Sequence, residues 1–102
     1  MLEIRPNCEC CDKDLQAHST EAMICSYECT FCKSCVDNIL ENVCPNCGGG
    51  FVARPIRPEN DYREGVSLKY QKASTKRVHT PYSEKELRDF SRPLKHIKPE
   101  AR

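Results

Sequence analysis

The sequence predicts a small α+β fold stabilised by metal, with two metal sites, one short helix, short strands, and a basic C-terminal tail carrying a second short helix. Three observations lead there. First, nine of the 102 residues are cysteine, and all nine lie between Cys8 and Cys47. Second, hydrophobic residues are 38% of the chain and charged residues 30%. A chain this short buries only a modest apolar core, so something else must hold the fold. Third, the cysteines are ordered as Cys8-x2-Cys11-x13-Cys25-x3-Cys29-x2-Cys32-x2-Cys35-x8-Cys44-x2-Cys47.

Cysteine this dense means disulfides in a secreted domain or metal in an intracellular one. The N-terminus, MLEIRPNCEC, has no apolar h-region and no small-residue cleavage site, so a signal peptide is not expected. No run has the length of a transmembrane helix. A cytoplasmic, metal-binding chain without a membrane partner is therefore expected. An odd number of cysteines would also leave an all-disulfide framework with one thiol over.

Two cysteines separated by two residues turn both sulfurs toward one tetrahedral ion about 2.3 Å away. An all-thiolate shell suits Zn²⁺ and, having no open position, is structural rather than catalytic. Iron–sulfur clusters compete chemically, but the spacing matches neither common ferredoxin run. Eight ligands give two Zn²⁺ sites, and two pairings are open. A sequential scheme joins Cys8/Cys11 to Cys25/Cys29 and Cys32/Cys35 to Cys44/Cys47. A crossed scheme joins Cys8/Cys11/Cys32/Cys35 and Cys25/Cys29/Cys44/Cys47. The crossed scheme is favoured because Cys35 opens the one helical pattern of the region. There Val36, Ile39, Leu40 and Val43 recur at helical spacing. A cysteine knuckle joined to a pair at a helix start is a treble-clef arrangement, and the helix N-terminus offsets charge on the sulfurs. Cys10 is left over. It adjoins Cys11, and neighbouring side chains do not readily chelate one ion. A small buried or half-buried thiol is expected there, with an alternative ligand or a redox-sensitive thiol as the other reading.

Along the chain, residues 1–7 alternate apolar and polar, as a short strand or extended lead-in does. Gly48, Gly49 and Gly50 close the cysteine region, and Phe51–Val52 is read as a short strand. The proline-rich run Arg54 to Pro58 is extended chain and marks the boundary between a double zinc module, 1–58, and a basic extension, 59–102. In the extension Ser83 is a helix N-cap, Glu86 completes a capping box, and Tyr82 and Leu87 form a hydrophobic staple. Pro93 ends this helix, placed near 84–92. Its apolar face is Leu87 and Phe90, with Leu94 just beyond. Two turns are marginal alone, so the helix either docks on the zinc module or orders on a partner.

Charge is unevenly divided. Residues 1–53 hold three basic and eight acidic residues, net −5, and residues 54–102 hold thirteen and seven, net +6. Lys69, Lys72, Lys76, Arg77, Lys85, Arg88, Arg92, Lys95 and Lys98 alternate with Tyr62, Tyr70 and Tyr82, a mixture that suits phosphate backbone and base stacking. A solvated surface is the plainer reading, because the sequence pI of about 7.5 is far from that of basic nucleic-acid binders. His18, His79 and His96 are scattered, and only His18, in the Cys11–Cys25 loop, is placed to substitute as a ligand. No Ser–His–Asp order, phosphate loop or HExxH occurs. An enzyme with its own active site is not expected, nor is a small-molecule substrate.

The stretch YECTFCKSCVDNILENVCPNCG resembles the second half of a RING domain. Cys29-Thr30-Phe31-Cys32-x2-Cys35 follows the family's order of ligand, spacer, aromatic and CxxC, and Cys44-Pro45-Asn46-Cys47 matches its closing CPxC. The resemblance spans residues 8–47 and implies an all-cysteine, cross-braced fold. The whole chain is also similar to an uncharacterised, mostly bacterial cysteine-rich family, through RPNCECC, ECTFC, CPNCGG and RPIRP. That family implies a fold and no activity. The functional expectation is a structural zinc protein that binds another protein. Alternatives are a RING-type ubiquitin ligase component and a nucleic-acid-binding zinc protein. Against the ligase stand Cys10 where an apolar residue is usual before the second ligand, the absence of Trp, and Gly48 where Arg often follows the last ligand. Pro45 alone agrees with that family's partner surface.

Overall fold

The computed structural model describes residues 1–102 as a small α+β structure with two cysteine clusters. Three short strands form one antiparallel sheet: β1 (Ala22–Ile24), β2 (Thr30–Cys32) and β3 (Val52–Ala53), in the order β2-β1-β3. Met23 faces Phe31 on one side and Ala53 on the other. The sheet sits between the cysteine pairs, since β2 runs from just after Cys29 into Cys32. Every residue of β2 is buried, as fits a strand covered on both faces.

Helix α1 (Lys33–Cys35) begins where β2 ends and continues as a π-helical turn, Val36–Leu40. The sequence places a helix over 36–43, and the structure ends it three residues sooner. Glu41 and Asn42 both take left-handed φ, +48° and +62°, and turn the chain away. Val43 is nonetheless buried, with Val36 and Leu40, while Ile39 is half-buried. The Asn42 side chain compensates for the break by accepting from the Phe51 amide at 2.9 Å. Phe51 then packs edge-on against Phe31, with ring centroids 5.3 Å apart. The strand read at Phe51–Val52 lies one residue later, at β3.

Residues 1–7 form no strand. They make a single bridge, Asn7 to Asp14, and run extended, because their backbone partners come from distant loops rather than a neighbouring strand. Ser74 N donates to Ile4 O at 2.9 Å, and Arg57 donates to Leu2 O at 2.6 Å.

The C-terminal residues lie against this core. Helix α2 (Glu84–Ser91) has the expected capping box, with Ser83 Oγ accepting from Glu86 N and Glu86 Oε1 accepting from Ser83 N. Leu87 is only 3% exposed and joins the cysteine-rich core, whereas Phe90 is 43% exposed. The helix packs on the Val36–Leu40 turn, helped by Arg88 donating to Asn38 O at 3.2 Å and by the Lys95–Glu41 pair at 2.9 Å. Pro99 lies against Gly50, where a Cβ would sit 2.8 Å from its ring. Ser83→Ala is expected to cost about 1 kcal/mol of helix stability and to speed amide exchange at Glu86 and Leu87. Unchanged exchange would mean that docking alone holds the helix. No helix is long and apolar enough to cross a membrane.

Candidate metal centre

Seven cysteines converge into two clusters, one of four and one of three. In the first, Cys8, Cys11, Cys32 and Cys35 place their sulfurs within 4.8 Å of one another. Cys8 and Cys11 come from a loop knuckle, Cys32 from the end of β2 and Cys35 from α1. The helix beginning at Lys33 brings Cys35 one turn past Cys32, so both sulfurs face the knuckle. In the second, Cys25, Cys44 and Cys47 meet the same distance limit. Cys25 follows β1, and Cys44 and Cys47 form the turn that Gly48, at φ +79°, completes.

The grouping is thus between alternating cysteine pairs. Cys29, assigned to the second group from sequence, lies outside the mutual 4.8 Å limit. It is nonetheless buried in the same cysteine-rich core as Cys25 and Cys44. The reason is local: Glu28 takes a left-handed φ of +67°, and Cys25 N closes the turn onto Cys29 O at 3.2 Å. His18 stays on an open surface beside Asp14, Ser19 and Glu21 and joins neither cluster.

The donor set fits a metal ion. A tetrahedron of sulfurs about 2.3 Å from its centre has edges of about 3.8 Å, and the Cys11 and Cys32 sulfurs stand 3.9 Å apart. The surrounding amides are aimed as a thiolate requires. Tyr27 N points at Cys25 Sγ at 3.3 Å, and Gly49 N points at Cys47 Sγ at 3.4 Å. Burial pushes the Cys8 thiol up to about 11, against the pull of the Cys10, Cys11 and Cys32 amides. Burial likewise raises Cys35 and Cys44, reinforced by the neighbouring sulfurs. Cys11 is the exception. Burial would raise it too, but the Lys13 amide and the Cys8, Cys35 and Cys32 thiols outweigh that and lower it. Crowded thiols of this kind hold their protons at neutral pH, and a bound cation would have to expel them. Two such clusters suggest metal binding.

Sequence reasoning missed what braces the knuckle. Glu9 is 2% exposed, and its carboxylate accepts from Arg5 at 2.8 Å and from Thr30 N at 2.6 Å. It therefore ties the first knuckle to β2. Residues 77–80 then strap its outer side. Arg77 donates to Asp14 Oδ1 and Asp12 O, each at 2.6 Å, Asn7 Nδ2 donates to Val78 O at 2.8 Å, and Thr80 N donates to Glu9 O at 2.7 Å. His79 Nε2 lies 3.1 Å from Cys10 O. Arg102 serves the second knuckle, donating to Gly48 O at 3.1 Å and Asn42 O at 2.8 Å. No sequence signal marks an acceptor that is a backbone carbonyl.

The family model described as "Protein of unknown function (DUF1272)" matches residues 1–57. The chain is also 53% identical over 81 residues to the uncharacterized protein R02474 of Rhizobium meliloti (strain 1021), covering 79% of this chain and 89% of that one. No solved structure matches. The alternating cysteine clusters fall wholly within the matched residues, and the chain belongs to the DUF1272 family.

Proposed function

We propose that this chain is a structural zinc-binding protein that presents an interaction surface to another protein. Its eight cysteines hold two Zn²⁺ in a RING-like, cross-braced treble clef, with Cys29 completing the second shell. The observation carrying the zinc reading is the four-sulfur cluster, three of whose members are buried and all of whose sulfurs lie within 4.8 Å of one another. Zn²⁺ bound there would supply fixed geometry and charge neutralisation. The protein's own residues do the rest: the amides orient the sulfurs, and Glu9 and the strap hold the first knuckle shut. A full thiolate shell leaves no position for a reacting group, so catalysis at the metal has no support.

The interaction reading rests on a groove of about 330 Å³ beside the second knuckle, lined by Pro45, Tyr82, Glu86, Leu87, Asp89 and Phe90. Tyr82 and Phe90 are 45% and 43% exposed. The ligase alternative gains nothing from this geometry, because α2 lies across the Val36–Leu40 turn. The nucleic-acid alternative loses charge: Arg77, Lys85, Arg88, Arg92 and Lys95 are all in ion pairs with the chain's own carboxylates.

Native mass spectrometry of the protein purified without added metal is expected to show two zinc ions per chain. Iron, or no metal, would sink the zinc reading. For the surface, Phe90→Ser should abolish capture of a partner from source cells while leaving the metal content unchanged. Equal capture by both forms would remove the groove from consideration. Leu87, which faces the core, is unsuited to that test.

A further inference from the structure

Residues 58–71 form a loop built inside out. Its neck closes where Leu68 N donates to Pro58 O at 2.8 Å. Its interior is polar. Ser67 is fully buried, and the Gln71 side chain fills the frame, accepting from Ser67 N at 3.2 Å and donating to Gly65 O at 3.0 Å. Arg57 moors this frame to the rest of the chain, donating to Gln71 O at 2.7 Å and to Leu2 O at 2.6 Å. The large apolar side chains are left outside: Tyr62, Val66 and Tyr70 are 77%, 55% and 63% exposed. Compact loops with closed ends, packed by their own side chains, are frequent binding elements, and apolar side chains grouped on an exposed surface mark contact sites. A frame already fixed loses little freedom on association.

The charges of the loop say what meets it. They fall into two arms, each built on a tyrosine. Glu59, Asp61 and Glu64 accompany Tyr62, with Arg63 the one cation among them, and Lys69 and Lys72 flank Tyr70. All six charged side chains are exposed, and the ion pairs of the molecule join other residues. Over the whole loop three charges of each sign cancel, which leaves no net field to hold a polyanion. The arms are instead complementary to each other, yet no ion pair joins them within one chain. A surface complementary to itself is what a two-fold contact between identical chains requires.

We infer that residues 59–72 are the contact surface of a homodimer, in which the acidic arm of each copy lies on the basic arm of the other. Tyr62 of one copy then meets Tyr70 of the second. The tyrosines are the anchors, and the charges around them set register and orientation. The loop lies beyond residues 1–57, which the family model matches. None of its residues belongs to a cysteine cluster or to the groove beside α2, so the contact is separate from both readings above.

Sedimentation velocity on the full chain as purified, over a range of concentrations, tests the inference. The wild type is expected to form a dimer of 11.7 kDa chains that weakens toward 1 M salt, where the Debye length is about 3 Å. Tyr70→Ser should lower the association constant about tenfold or more. Asp61→Lys/Glu64→Lys makes both arms basic, and Lys69→Glu/Lys72→Glu makes both acidic. Each of these chains alone should be monomeric, and their equimolar mixture should recover the dimer. A wild type that stays monomeric, or a mixture that does not recover, overturns the inference. So does a monomeric wild type that binds single-stranded oligonucleotide through Tyr70, which would assign the loop to nucleic acid. Should a charge-reversed chain misfold, Tyr70→Ser reads the same contact, and an unchanged association constant rejects it. Metal content, measured on the same samples, should be equal in all folded forms.

Discussion

Complete chelation of metal is expected to unfold residues 1–58, with loss of circular dichroism and of resistance to trypsin. The size of the effect follows from what the ions replace. Only 23 of 102 residues are buried, and seven of the sixteen buried hydrophobic residues are cysteines or alanine. A structural zinc site contributes on the order of 10–16 kcal/mol of apparent binding free energy at neutral pH, while a small domain's net stability is about 5–15 kcal/mol. Loss of either ion is therefore comparable to the whole. The crowded thiols add to the effect, since without a cation they are left buried against one another. The structure extends the expectation beyond residue 58. The strap at 77–80 takes its partners from residues 7–14, so trypsin should cut at Lys76 and Arg77 as soon as metal leaves. Unchanged dichroism and unchanged proteolysis after full metal removal would refute the zinc reading.

The second large effect is expected at Phe31. Phe31→Ala should destabilise the zinc-loaded protein by about 3–5 kcal/mol, measured by denaturant unfolding at fixed free zinc. The ring is fully buried and stacks edge-on against Phe51. It also lies on β2 between Cys29 and Cys32 and is part of the same buried core as the cysteines. A cavity there would let both knuckles shift, and zinc affinity should fall together with stability. A drop of less than 1 kcal/mol with unaltered zinc affinity would mean that the ions alone position the sheet.

How far the sequence could be read depended on the range of the interaction. Where ligand chemistry and local capping decide structure, the residues were informative. The CxxC spacings gave the four-thiol cluster, and Ser83 with Glu86 gave the start of α2. Both rest on residues close in the chain or on a pattern that only one chemistry explains. The helix end at Glu41 was not legible, because two non-glycine residues take left-handed φ there under tertiary constraint. Strand β1 was hidden in a spacer between ligands, since three residues are too few to show a period. Glu9 reads in sequence as one more surface carboxylate, and only the fold shows it buried between Arg5 and Thr30. Arg54 is the same case. It is 4% exposed, donates to Arg5 O at 2.8 Å and Gln16 O at 2.9 Å, and leaves its Nε unpartnered. Nothing in RPIRP announces a guanidinium that joins two loops through their carbonyls. The position of Cys29, beside its group but not within it, likewise depends on a left-handed Glu28.

The strap also bears on the order in which the molecule assembles. Asn7 and Val78 are 71 residues apart in sequence yet exchange two hydrogen bonds. Closing so long a loop costs entropy before any contact repays it, whereas the cysteine pairs lie within a 40-residue window. During synthesis every thiol has emerged before the strap exists. The clusters can therefore gather while the chain is still growing, and the strap arrives as a late clasp on a knuckle already formed. Interactions added after the rate-limiting step leave the folding rate alone and slow unfolding. On this account residues 77–80 govern how long the native state lasts, and the cysteines govern how quickly it is reached.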